Sequence, residues 1–187
     1  MAIRIYIDQG HNPQSPNSGA EGNGYREQDL VYRIGILTQE RFLQDPSYEV
    51  RVSRPTESTS LGGSNAESLR IRVNEANAWG ADLFLSLHAN ASALESVSGS
   101  EGLVYSRETE AYRIAEVILT SLNRATGLRN RGIFLRPGLY VLRKTQMPAV
   151  LLELGFISNR SDAELMANRP DLFASGIYRG VTEYYGT

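Results

Sequence analysis

The sequence predicts an α/β fold, a single-domain three-layer sandwich built on a mostly parallel, twisted sheet of about six strands flanked by helices. Three observations carry that expectation. Short β-rich runs alternate along the chain with amphipathic segments long enough for crossover helices. Two of the runs, Leu83–Leu87 and Ala149–Leu154, are almost continuously apolar, as strands covered on both faces are. Finally, 187 residues with 41% apolar content suit one hydrophobic core, so 1–187 is expected to form one domain.

The elements follow in order. Ile3, Ile5 and Ile7 alternate with Arg4 and Tyr6, a strand that ends at Asp8 and delivers the chain into Gln9-Gly10-His11. From Gln9 to Arg26 the chain is rich in Gly, Asn, Ser and Pro, and a loop of that length is usually functional or disordered. Leu30, Val31, Ile34 and Leu37 then share a helical face until Asp45-Pro46, and a short strand is expected around Glu49–Ser53. A polar loop over Pro55–Gly63 leads to Ser64-Asn65-Ala66-Glu67, a capping-box spacing that opens a helix ending at Gly80. After the Leu83–Leu87 strand come a polar loop to Gly99, a strand at Leu103–Tyr105 and a helix through Ala111, Ile114, Ile118 and Leu122 that stops near Gly127. Leu139–Leu142 and Ala149–Leu154 read as two further strands. Ser161-Asp162-Ala163-Glu164 reads as a second capping box, and Phe173, Ile177, Val181 and Tyr184 mark the last helix.

Composition removes several function classes. Nineteen cations against 21 anions leave a net charge of −2, with no overall attraction to nucleic acid or to anionic lipid. With no cysteine, disulfides, iron–sulfur clusters and thiol nucleophiles are out, and any metal must sit on His, Asp or Glu. No basic and apolar export signal opens the chain, and no apolar run approaches the ~20 residues that a membrane span needs. Between Glu116 and Glu153 there are six basic residues and no acidic one, either a solvated surface or a rim that attracts carboxylates.

Both of the histidines present, His11 and His88, stand directly after predicted strands. In a parallel sheet that is where ligands bind, although each could equally be a loop residue bonded to backbone. Glu27 opens the first helix, where the helix dipole favours an ionised carboxylate; an ordinary first-turn Glu fits the same place. Glu153 is the odd residue, one carboxylate at the end of the apolar run Val150-Leu151-Leu152-Glu153-Leu154. Burial costs it several kcal/mol unless a nearby Arg pairs with it or it serves as a general acid or base with a raised pKa.

Four separated segments then resemble one family. Asp8-Gln9-Gly10-His11, Glu27, Ala81-Asp82-Leu83-Phe84-Leu85-Ser86-Leu87-His88-Ala89-Asn90 and Met147-Pro148-Ala149-Val150-Leu151-Leu152-Glu153-Leu154-Gly155-Phe156-Ile157-Ser158-Asn159 are similar, in order, spacing and flanking residues, to the zinc-dependent N-acetylmuramoyl-L-alanine amidases of the amidase-3 type. The resemblance runs from Ile3 almost to the C-terminus, through Arg54, Arg72 and Asn130-Arg131-Gly132. It implies one zinc ion on His11, Glu27 and His88, with Glu153 as the catalytic carboxylate. Asn90, Arg131 and Arg143 are the residues expected to contact substrate. The family's usual Asp-Pro-Gly-His-Gly-Gly reads here Asp8-Gln9-Gly10-His11-Asn12-Pro13, so a stiffer Asn-Pro replaces the glycine pair.

The implied activity is that of a peptidoglycan hydrolase. Zinc-activated water would cleave the amide between the lactyl group of N-acetylmuramic acid and the L-alanine of the peptide stem, in cell-wall remodelling, sporulation or lysis. The partners implied are peptidoglycan and muropeptides, not nucleic acid, and the place of action is extracytoplasmic. Two other classes compete: a non-catalytic peptidoglycan-binding module on the same fold, and a zinc peptidase cutting within the stem. In some division amidases of the family a helical insertion after the second His ligand covers the metal. Here only Ala91–Ser100 intervenes, too short for a stable helix, so the site is expected to be open, with an activator protein compatible but not required.

Overall fold

The computed structural model describes residues 2–187. Its main sheet has six strands in the order β4-β1-β5-β8-β6-β7: β1 (Ile3–Gln9), β4 (Tyr48–Val52), β5 (Leu83–Asn90), β6 (Ser100–Val104), β7 (Asn130–Leu135) and β8 (Ala149–Phe156). A two-stranded ribbon, β2 (Glu21–Gly22) with β3 (Tyr25–Arg26), lies in the long first loop. β4, β1, β5 and β8 are mutually parallel, whereas β6 runs antiparallel to β8 and carries β7 parallel to itself.

Alternation along the strands sorts the core into two layers. Ile5, Ile7, Leu83, Leu85, Leu87, Val150, Leu152 and Leu154 point to one side. There they meet α1 (Glu27–Leu43), α3 (Glu110–Thr126), α5 (Arg160–Asn168) and α6 (Pro170–Tyr185). Tyr6, Phe84, Ala149 and Leu151 point to the other, where α2 (Asn65–Trp79) and α4 (Tyr140–Lys144) close the third layer. This is the predicted sandwich, because strands buried on both faces need helices on both sides. Among the described residues no helix is long and apolar enough to cross a membrane.

Helix ends follow local chemistry. Ser64 accepts from the Glu67 amide at 3.1 Å as the capping reading requires, while the Glu67 carboxylate takes the amide of Gly63 at 2.7 Å. Gly80 and Gly127 stop α2 and α3 in the left-handed conformation that glycine adopts freely.

Three expectations are corrected, and one further strand is found. Leu139–Leu142 is not a strand: Arg143 N–H closes a turn onto the Leu139 carbonyl, and α4 buries Val141 and Leu142 against the sheet. A four-residue apolar run carries too little periodicity to separate the two conformations. The second capping residue is Asn159 rather than Ser161, since its side chain accepts from the Asp162 amide at 3.1 Å and Glu164 pairs instead with Arg160. β7, which carries Arg131, was not expected as a strand at all, and β6 begins at Ser100 rather than Leu103.

The tightest helix contact gives a stability test. Gly176 and Gly180 let α6 lie against α3, and a Cβ built at Gly180 would stand 2.5 Å from the Ile118 Cα. In an open helix Gly→Ala stabilises, by roughly 0.5–1 kcal/mol. Here Gly180→Ala is expected to destabilise by about 1–3 kcal/mol, because backbone must move to admit the methyl. Chemical denaturation of the variant, read as a midpoint shift at constant slope, measures the sign.

Candidate active site

Because β1, β5 and β8 are adjacent and parallel, their carboxyl ends converge, and the start of α1 lies over them. Glu27 is the first residue of α1, only 4% exposed, and its Oε1 lies 3.0 Å from His11 Nε2 and 2.9 Å from His88 Nδ1. The Ala89 amide donates to the same oxygen at 3.0 Å, and the Ala20 amide donates to Oε2 at 2.9 Å. Burial works against the Glu27 charge, but the two imidazoles outweigh it and hold the carboxyl far below the usual range. Burial likewise disfavours the His88 cation; Glu27, with Glu153 and Asp8 behind it, reverses that and raises the His88 pKa.

Ligating atoms of His11, Glu27 and His88 all lie within 4.8 Å of one another, so the structure brings these three sequence candidates together. Two nitrogens and a carboxylate oxygen make a donor set suited to zinc. His11 Nδ1, across the ring from the nitrogen that faces Glu27, is buried without a hydrogen-bond partner. Two glycines give the cluster room: a Cβ at Gly10 would fall 2.5 Å from His88 Cε1, and one at Gly19 would fall 2.8 Å from Glu27 Oε2. The Asn-Pro step after His11 has a structural role as well. Asn12 is fully buried and pins the first loop to the second, donating to the carbonyls of Pro16 and Leu61 and accepting from the Leu61 amide at 3.0 Å.

Glu153 stands beside this set, paired in register with His88 on one side and with Glu101 on the other. The arginine that would have made it a plain structural carboxylate does not reach it. Glu153 Oε2 is buried with no hydrogen-bond partner, and burial, reinforced by Glu27 and Glu101 against the pull of His88, pushes its pKa up to about 7. A proton can be gained and lost there near neutral pH.

Sequence reasoning missed Glu101. It is 7% exposed and organises two expected substrate residues, accepting from Arg131 Nε at 2.7 Å and from Asn90 Nδ2 at 3.2 Å. The Arg131 guanidinium also lies over the Phe156 ring, 5.1 Å from its centre. Arg143 is not part of this cluster. It is exposed on α4 and lines a hollow with Met147, Pro148 and Ala149, at the opposite end of β8. A cavity of about 150 Å³ opens beside the two histidines, walled by Leu69, Leu139, Tyr140 and Leu151.

Comparison with known proteins gives the family. A family model described as N-acetylmuramoyl-L-alanine amidase matches residues 5–183. The chain is 30% identical to the germination-specific N-acetylmuramoyl-L-alanine amidase of Bacillus subtilis, over 97% of its own length and 79% of that protein's. Its fold superposes on the catalytic domain of CwlV, an N-acetylmuramoyl-L-alanine amidase from Bacillus (Paenibacillus) polymyxa var. colistinus, with a TM-score of 0.86, 31% identity and 98% of each chain covered. It also shares the fold of the CwlD amidase from Clostridioides difficile, solved in complex with the GerS lipoprotein, at a TM-score of 0.84, 23% identity and 98% and 98% coverage. With the family model spanning nearly all of its length and a curated relative matched along most of its own, this chain belongs to the N-acetylmuramoyl-L-alanine amidase family.

Proposed function

We propose that this chain hydrolyses peptidoglycan at the amide between the lactyl group of N-acetylmuramic acid and the L-alanine of the stem, as one zinc-amidase catalytic domain with His11, Glu27 and His88 holding one zinc ion. The observation that carries the reading is the unpartnered Glu153 carboxylate set opposite His88, beside a three-donor cluster. Zinc, when bound to such a set, supplies a Lewis acid that acidifies water and polarises a carbonyl. Glu153 takes a proton from the attacking water at its free oxygen and returns it to the L-alanine nitrogen as the amide breaks. Its raised pKa suits both halves of that exchange. In this reading Asn90 and Arg131, held by Glu101, meet substrate, and Arg143, exposed on α4 beside the start of β8, is left out of the contact set.

A binding module would not need a partnerless buried carboxylate beside a metal-type donor set, which costs stability and contributes nothing to affinity. A stem peptidase would share the chemistry, so product analysis decides. Purified muropeptides incubated with the protein are expected to release intact stems beginning with L-alanine, identified by mass spectrometry; cleavage inside the stem would overturn the reading. Such a substrate places the reaction outside the cytoplasm.

Residues 91–99, between β5 and β6, contain turns and no helix, which supports a site without a helical plug from this segment. Turnover of soluble muropeptides is therefore expected from the purified chain with zinc alone. A strict requirement for a second protein would contradict that expectation. Gly10→Ala tests the cradle: its methyl would displace the His88 ring, and zinc affinity measured by chelator competition is expected to fall by ~10- to 100-fold, the range seen when a ligand's support is disturbed.

A further inference from the structure

His11 is held in an unusual backbone conformation. Its φ of 67° lies in the left-handed region that residues with side chains seldom occupy, so the surroundings must impose it. They do so through Arg72, a residue of α2 that is 1% exposed. Nη1 donates to the Asp8 carboxylate, to the Gln9 carbonyl at 2.6 Å and to the Ser53 hydroxyl at 3.2 Å. Nη2 donates to the His11 carbonyl itself and to Asn12 Oδ1 at 3.3 Å, and Nε reaches the Ser68 hydroxyl at 3.4 Å. Asp8 is fixed in turn by the Ser86 hydroxyl on the neighbouring strand, at 2.8 Å.

The division of these donors is informative. A buried ion pair is weak evidence of stability by itself, because apolar side chains of similar volume often serve as well. Arg72 spends one arm on a carboxylate and the carbonyl of Gln9, and the other on the carbonyl of His11 and the side chain that follows it. Residues 8, 9, 11 and 12 are thereby tied to one rigid plane. A lysine carries the same charge at one point and cannot span both sides.

We propose that Arg72 is a positioning residue: through the Asp8–Asn12 turn it presets the His11 imidazole to receive the metal. This inference rests on the proposed zinc site. Arg72→Lys keeps a cation opposite Asp8 but loses the second arm. In the full chain stripped of metal and titrated with zinc against a chelating dye, its zinc affinity is expected to fall ~10- to 100-fold, with the far-ultraviolet dichroism unchanged. The absorption of cobalt substituted for zinc should shift, reporting altered ligand geometry. A remote core variant, Ile118→Val, serves as control: lower thermal stability with wild-type zinc affinity is expected. Should Arg72→Lys fail to fold, Asp8→Asn loosens the same anchor and is expected to change affinity and spectrum in the same direction. Wild-type zinc affinity and an unchanged cobalt spectrum in the folded variant would overturn the inference while leaving the metal site standing. Failure of the wild-type chain to bind zinc would overturn both.

Discussion

His88→Ala is expected to strip the protein of its metal, weakening zinc retention by more than ~100-fold, beyond the range that loss of a supporting group produces. The reason is geometric. Glu27 Oε1 lies within hydrogen-bond distance of both imidazoles, at 3.0 Å from His11 and 2.9 Å from His88, so the three donors form one cluster that cannot stay closed without a member. His88 lies at the carboxyl end of the central strand β5, flanked by β1 and β8, and no other His exists to replace it. Elemental analysis after dialysis makes the measurement. Stoichiometric zinc in the variant would show that the ion sits elsewhere.

Glu153→Gln is expected to keep its zinc and its fold while losing ~10²- to 10⁴-fold in turnover, the range of general acid–base contributions. The amide nearly matches the carboxylate in shape, and because Glu153 Oε2 has no hydrogen-bond partner the change breaks no native contact. Removing a carboxylate whose pKa is raised by burial also relieves a desolvation cost, so stability is expected to hold or rise slightly. Thermal melts, metal content and kcat measured on one preparation separate these effects. Near wild-type turnover would move the proton-transfer role to Glu101 or Glu27.

What could be read from the sequence depended on which physical rule each residue obeyed. His11, His88 and Glu27 sit where a parallel sheet and a helix start put ligands, which makes them candidates, and the family resemblance is what implies them as one ligand set. Glu153 stood out because one carboxylate interrupts an apolar strand. Glu101 was invisible by the same rules. Since β6 runs against β8, its start, not its end, faces the site, and Ser100-Glu101 looked like the tail of a polar loop. Arg131 reads in the sequence as one of a group of cations, and its partner Glu101 follows only from the pairing of β7 with β6. Arg143 belongs to the same group of cations but stands on α4, where it lines a hollow with Met147, Pro148 and Ala149 rather than joining the Glu101 cluster, because charge in sequence does not say which partner a side chain meets. The error at α4 has a similar origin: Leu139–Leu142 is apolar because it covers the sheet, and that requirement is met by helix or strand alike.

Bound metal and amide hydrolysis are expected to belong to the same site. The direct measurement is turnover of purified muropeptides before chelation, after chelation, and after return of one equivalent of zinc, with the newly formed amino terminus identified. Stems bearing free L-alanine termini are expected to appear at a rate that collapses on chelation and recovers with zinc in wild type, whereas in Glu153→Gln zinc rebinds without restoring the rate. Full-rate release of those stems by metal-free protein would contradict it.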